Sequence, residues 1–447
     1  MDALPKDLPP YAADQPLPAL HIDQRRLGNG LTVWVVPRND GPPKVHFVLA
    51  VRGGLADDPA QQPGFSTLLA ELLKEGTSAR DANTIAQDLQ SYGGDLHVDA
   101  GLDGITLSAS ALSVNAAKAI TLLSEVALSP AFPPAEIAQG KLRALQALLA
   151  AQADPDWQAR RALAPLVFPG HPYGYVLPTR ASLLGVTAEQ LHAEHDRRFR
   201  PDEALLVVTG RIDTDTAMRL ADAVFGDWSA DGKPSVGVGP APATAPPARM
   251  FISRSDSVQS VIRLGRPAVA ATSPDYYPLL VTNAILGEGF RSRLNLDLRE
   301  DKGYTYGAGS VFSAERSGGS LVGYASVRNA VTGAAIGRFL ADYAQLGDAP
   351  VDAAELAQTR HYLVGRYLLH NQPQAQVASA LAGDWLAGLS AQAFTDYVPK
   401  VEAVTAAQVQ ATARTYFAPK DASIVVVGDP GVLGQLQPYG DFTQVSK

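Results

Sequence analysis

The sequence predicts an α+β fold of two similar domains, each a mostly antiparallel sheet packed with helices, joined by a Pro-rich linker. Three observations carry this. The segment GVTAEQLHAEHDRRFRPDEALLVVTG (185–210) returns as AVTAAQVQATARTYFAPKDASIVVVG (403–428), at a constant offset of 218 residues. The stretch DGKPSVGVGPAPATAPPAR (231–249) holds five prolines and no helical period, as a linker does. Strand-like and helix-like runs mix on both sides of it, and two of the strands are close enough in sequence to form a hairpin.

Residues 1–20 lack the basic and apolar regions of a signal peptide and read as an extended, Pro-rich arm. Such an arm is compatible with a mature periplasmic N-terminus; the cytoplasm is the alternative. The first domain is expected over 21–230. LTVWVV (31–36) and VHFVLAV (45–51) read as strands. In GFSTLLAELLKEGTS (64–78), Leu68, Leu69, Leu72 and Leu73 share one helix face, Thr67, Ala70, Glu71 and Lys74 share the other, and Gly76 stops the run. Helices follow at 83–92, 113–127, 134–152 and 187–198, with strands at 95–100 and 104–110 forming the hairpin. The repeat supplies its own signals in both copies: Thr187 with Gln190 and Thr405 with Gln408 make capping boxes, Phe199 and Phe417 precede Pro201 and Pro419, and an apolar strand closed by Gly ends each unit. The second domain is expected over 250–447, where RSRLNLDLREDKG (291–303) predicts a helix ended by Gly303 and YTYGAGSVF a strand.

Composition narrows the function. The chain has 447 residues, 46% apolar and 18% charged, with a net charge of −8. That is a globular mixture of several domain-sized units. Lys and Arg never run beyond two in a row, which disfavours nucleic acid as a partner. No apolar run is long enough to span a bilayer. The absence of cysteine excludes disulfides, thiolate zinc sites and cysteine nucleophiles.

Several segments could carry chemistry. His192 and His195 lie at i and i+3 and could share a metal, but no third ligand is evident, and the repeat has Gln410 and Ala413 in their place. GEG at 287–289 lacks the context of a phosphate loop and is better read as a turn before a helix. Arg299 falls in the last turn before Gly303 and Tyr306 at the strand entrance. On the residues alone, Arg299 serves the helix C-terminus and Tyr306 is a strand aromatic.

Taken together, these segments resemble the pitrilysin/insulinase family of zinc peptidases, in its mitochondrial-processing-peptidase branch. RRLGNGLTVWVVP is similar to the family's opening strand and PGFSTLLAELLKEGTSARDANTIAQDLQSYGGDL to its metal-binding helix. FPGHPYGYVLPTRASLLGVTAEQLHAEHDRRFRPDEALLVVTGRID resembles the end of its first domain, and AILGEGFRSRLNLDLREDKGYTYGAGS the signature of its second. The resemblance implies an inverted zinc motif, HxxEH, on the first helix, with a further Glu from a later helix. Here the motif falls on Thr67-Leu68-Leu69-Ala70-Glu71 and the later ligand near Ala147, where Gln146 is the only polar neighbour. No metal is therefore expected in this chain. The resemblance also implies that Arg299 and Tyr306, seven apart, grip the substrate backbone and support the tetrahedral intermediate. The expected role is the metal-free subunit of a heterodimer, acting on peptides or unfolded protein with a homologous HxxEH-bearing, zinc-binding partner. The alternative is a non-catalytic scaffold or peptide-binding protein of the same fold.

Overall fold

The computed structural model describes residues 20–39, 41–230, 234 and 237–445. The expected arm lies almost wholly outside that range. So does part of the expected linker; residues 237–248 form neither helix nor strand.

In the first half the elements run β1 Asp23–Arg26, β2 Thr32–Pro37, β3 Lys44–Arg52, α1 Phe65–Leu73, α2 Ala82–Ser91, β4 Leu96–Ala100, β5 Gly104–Leu112, α3 Ala116–Leu128, α4 Pro134–Ala153, α5 Pro155–Val167, α6 Arg180–Leu184, α7 Ala188–Arg198, β6 Ala204–Gly210 and α8 Thr214–Phe225. The second half runs β7 Arg249–Ser253, β8 Gln259–Ala268, α9 Tyr276–Gly287, α10 Arg293–Asn295, β9 Thr305–Ala314, β10 Gly319–Arg328, α11 Thr332–Asp348, α12 Ala353–His370, α13 Gln374–Leu386, α14 Gln392–Ala403, α15 Ala406–Tyr416, β11 Ser423–Gly428, α16 Leu433–Leu436 and β12 Thr443–Val445.

Each half builds a six-stranded sheet. The orders are β1-β2-β6-β3-β5-β4 and β12-β7-β11-β8-β10-β9. Pairing is antiparallel except for β2 with β6 and for β7 with both β11 and β12, so the sheets are mixed but mostly antiparallel. The two capping boxes of the repeat are both formed, on α7 and α15.

Alternation along the central strands sends side chains to two buried faces. In the first sheet Val33, Val35, Phe47, Leu49, Leu206 and Val208 pack with α1, α3 and α8. The opposite face, Trp34, Val36, Val48, Ala50, Leu205 and Val207, is covered by Val377, Ala378, Leu381 and Ala382 of α13. The second sheet mirrors this. Ile252, Val261, Val425 and Val427 are covered by Ala159, Leu163 and Val167 of α5. Each sheet is thus roofed by a helix from the other half of the sequence. Gly265 on β8 shows how close the approach is: a Cβ there would stand 2.7 Å from a Leu163 methyl. The Arg52 guanidinium on β3 lies 4.2 Å over the Trp385 ring of α13, fastening the other roof.

Candidate functional site

Two surfaces bear on the expected chemistry. The first is α1. Its N-terminus is fixed by a buried polar knot: Asp58 accepts from the Gly64 and Ser66 amides at 2.8 and 2.9 Å, and the Ser66 hydroxyl accepts from Arg198 at 2.5 Å. Burial pushes the Asp58 carboxyl up, against the pull of Ser66 and Arg198. Gly64 has φ +84°, and a Cβ there would meet Pro178 at 2.7 Å, so the turn into the helix requires glycine.

The leucine face of α1 is in the core, as its spacing predicts. The other face is not simply a surface. Thr67 is exposed, Ala70 is buried and Glu71 half-buried. Arg143 of α4 reaches across to it, donating to Glu71 at 2.6 Å and Glu75 at 3.1 Å. Gln146 and Ala147 are exposed on the same helix. A hydroxyl, two methyls and a carboxylate already held by a guanidinium are no donor set for zinc. Among the described residues there is no group of three or more His, Cys, Asp or Glu that could hold a metal. His195 instead packs: it is buried, stacks on Phe199 at 4.4 Å, and its Nε2 lies 2.8 Å from the Ala127 carbonyl. Burial pushes its imidazole down. His192 is exposed, with its ring edge-on to Phe132.

The second surface carries Arg299 and Tyr306. α9 ends at Gly287, and the GEG segment forms a turn, with Gly289 at φ +87°. The helix expected over 291–303 is only partly α. After α10, residues Leu296–Asp301 open into a wider π-type turn, closed by bonds from Lys302 to the Asp297 carbonyl and from Tyr304 to that of Leu298. Long-range pairs hold this shape: Arg293 with Glu355 at 2.9 and 2.8 Å, and Asp297 with Arg338 at 2.6 and 2.8 Å. Leu294 and Leu298 anchor it in the core. Arg299 faces outward, its guanidinium 4.7 Å over the Phe290 ring and 3.4 Å from Glu300.

Tyr306 is the second residue of β9, the edge strand of the second sheet. Thr305 pairs with Val327 and Ala308 with Ala325, so Tyr306 and Gly307 together oppose Ser326. This bulge turns the Tyr306 side chain outward, 91% exposed. Its hydroxyl makes no hydrogen bond among the described residues, nor does any bond or ring contact join it to Arg299. Sequence reasoning missed Arg143, Phe290 and Arg338. Arg143 had a readable signal, as the one charge within Leu142–Ala153 of α4.

Residues 34–177 match the family described as insulinase (Peptidase family M16), and residues 185–363 match its inactive domain, Peptidase_M16_C. An uncharacterized zinc protease of Mycobacterium leprae is 26% identical over 284 residues, 61% of this chain and 62% of that one. The matched region therefore spans about three-fifths of that relative's length. A Helicobacter pylori protein named a non-peptidase homolog is 28% identical over 261 residues, 58% of this chain and 60% of that one. Among solved structures, an M16 inactive domain from Pseudomonas fluorescens superposes with a TM-score of 0.85 at 23% identity, over 92% of this chain and 98% of that one. A Helicobacter pylori protease gives 0.84 at 17% identity, over 92% and 99%. At these identities the two structures speak to fold.

Proposed function

Since the chain belongs to the insulinase (M16) family of peptidases, we propose that it serves as the zinc-free subunit of a two-chain peptidase. In itself it is an inactive-type member: its 185–363 region matches the inactive domain, and the residues at the expected zinc positions do not fit the metal. A homologous partner with HxxEH brings the zinc, and an unfolded peptide is the substrate. The observation that carries the reading is the contrast between the two surfaces. On α1 the charges are satisfied internally by Arg143, whereas the Tyr306 phenol stands in solvent with no partner among the described residues and Arg299 is steadied over Phe290. A phenol O–H supplied this way can donate to a developing oxyanion, and a guanidinium can hold a peptide carbonyl.

The test is to assay peptide cleavage by an HxxEH-bearing homologue with and without this chain. Activity is expected only in the mixture, and Tyr306→Phe in the complex is expected to lower kcat by about 10²-fold, the scale of losing one oxyanion donor. Turnover unchanged from the parent complex in both the Tyr306→Phe and the Arg299→Ala complexes would rule the role out. A scaffold predicts no gain on mixing.

A further inference from the structure

We infer that the groove between α9 and α12 binds an extended peptide through two side-chain cavities spaced four residues apart. The inference rests on the peptide-binding reading above and adds a sequence preference to it.

The wider cavity, about 400 Å³, is lined by Tyr276 and Leu280 of α9, Arg366, Tyr367 and His370 of α12, and Tyr397 of α14. Its aromatic wall is rigid. Tyr367 and Tyr397 stack at 4.0 Å and 8°, and the Tyr367 hydroxyl donates to the Phe394 carbonyl at 2.7 Å. The narrower cavity, about 190 Å³, lies further along the same two helices, with Ala284, Ile285, Phe290 and Tyr362 as its apolar lining. Arg366 stands between the two, ion-paired with Glu288 and 5.6 Å over the Tyr362 ring, so the ridge carries little net charge. Apolar surface is left open here: Phe290 is 59% exposed and Tyr362 42%.

Spacing identifies the occupant. The lining residues of the two cavities are centred between six and seven residues apart on α9 and about nine apart on α12, which at 1.5 Å per residue places the cavities roughly 12 Å apart on average. An extended chain covers about 13 Å in four residues, and since four is even, both side chains point to the same side. Phe290 connects the groove to the proposed chemistry, because it walls the narrow cavity and carries the Arg299 guanidinium. The ligand is thus an extended segment with bulky apolar or aromatic side chains at positions n and n+4, running toward Arg299.

The test is fluorescence anisotropy on the full chain without any partner, using labelled Gly/Ser host peptides carrying two Phe at spacing four, two Phe at spacing three, or one Phe. Spacing four is expected to bind about tenfold tighter than either other peptide. Tyr362→Ala, which removes a wall of the narrow cavity, and His370→Trp, which fills the wide one from its exposed rim, should each abolish that preference while far-UV CD and Tm stay near the parent's. A response indifferent to spacing, or a preference surviving both substitutions, overturns the inference. It is equally overturned if an HxxEH-bearing homologue displaces the peptide and Tyr362→Ala weakens that complex instead, since the groove would then be a subunit interface. The two readings fail separately. A spacing preference with cleavage indifferent to Tyr306 sinks only the two-chain role, and loss of cleavage in Tyr306→Phe without any spacing preference sinks only the groove.

Discussion

The Arg143 guanidinium holds Glu71 at 2.6 Å and Glu75 at 3.1 Å, so a fixed positive charge occupies the face of α1 on which the family motif would place a divalent cation. Rebuilding the ligands alone should therefore fail. Thr67→His, Ala70→Glu, Glu71→His and Ala147→Glu together are expected to bind zinc poorly while Arg143 remains, and at least tenfold tighter once Arg143→Ala is added. Competition with a chromophoric chelator measures both; identical affinities would show that Arg143 is irrelevant to the loss. Arg143→Ala in the parent should cost under about 1 kcal/mol, because the Arg143 side chain is itself solvent-exposed and water screens the pair.

The turn bearing Arg299 depends on a pair far from it in sequence. Arg338→Ala leaves the buried Asp297 carboxylate unpaired, close to Asp342. A loss of about 1–2 kcal/mol is expected in urea unfolding, toward the lower range for an orphaned charge because Arg338 is itself a third exposed. Adding Asp297→Asn should restore part of it. Amide exchange should quicken over 296–303 and not in the first sheet; unchanged exchange there would mean the core leucines suffice.

Asp342 makes stability depend on pH. Burial, with the nearby Asp297 charge, raises its carboxyl from 3.8 to about 7, and its Oδ2 has no hydrogen-bond partner among the described residues. The unfolded chain ionises this group near pH 4, while the folded chain holds the proton to about pH 7. Its contribution is therefore full below pH 4 and is lost as pH rises to 7, flattening beyond. Asp342→Asn should gain on the parent across that window, by up to about 1.4 kcal/mol per pH unit. Urea melts of both proteins at pH 4.5, 6 and 8 give the difference; a constant gap would contradict the raised pKa.

The exchanged roofs should couple the halves. Leu163→Ala on α5 and Leu381→Ala on α13 each empty a fully packed site and are expected to cost about 2–5 kcal/mol. Each should lower the melting of both sheets together. Separate transitions, with only the roofed sheet weakened, would show that the halves fold independently.

Much of the first half is legible from local signals. Strands 31–36 and 45–51 and the hairpin at 95–110 follow from β-branched alternation, and α7 and α15 from capping residues three apart. What is not legible is set at a distance. RLNLDLRED reads as an ordinary helix, yet it opens into a π-type turn because Arg338 and Glu355, 41 and 62 residues away from their partners, fix it. The spacing of Arg299 and Tyr306 can be read directly. The bulge that turns Tyr306 outward cannot, because it is a mismatch with β10. The roofing by α5 and α13 is hidden for a similar reason: each helix shows an apolar stripe, and nothing in its own residues says which sheet the stripe meets.

That roofing constrains how such a chain can change over evolutionary time. Joined units are ordinarily interchangeable modules, free to be shuffled, trimmed or multiplied at their seam. Here removal of either half strips the cover from Val48 and Val207, or from Val261 and Val425, in the half that stays. Recombination between the two halves would expose a hydrophobic sheet instead of releasing an autonomous module, so the two halves are expected to be kept together.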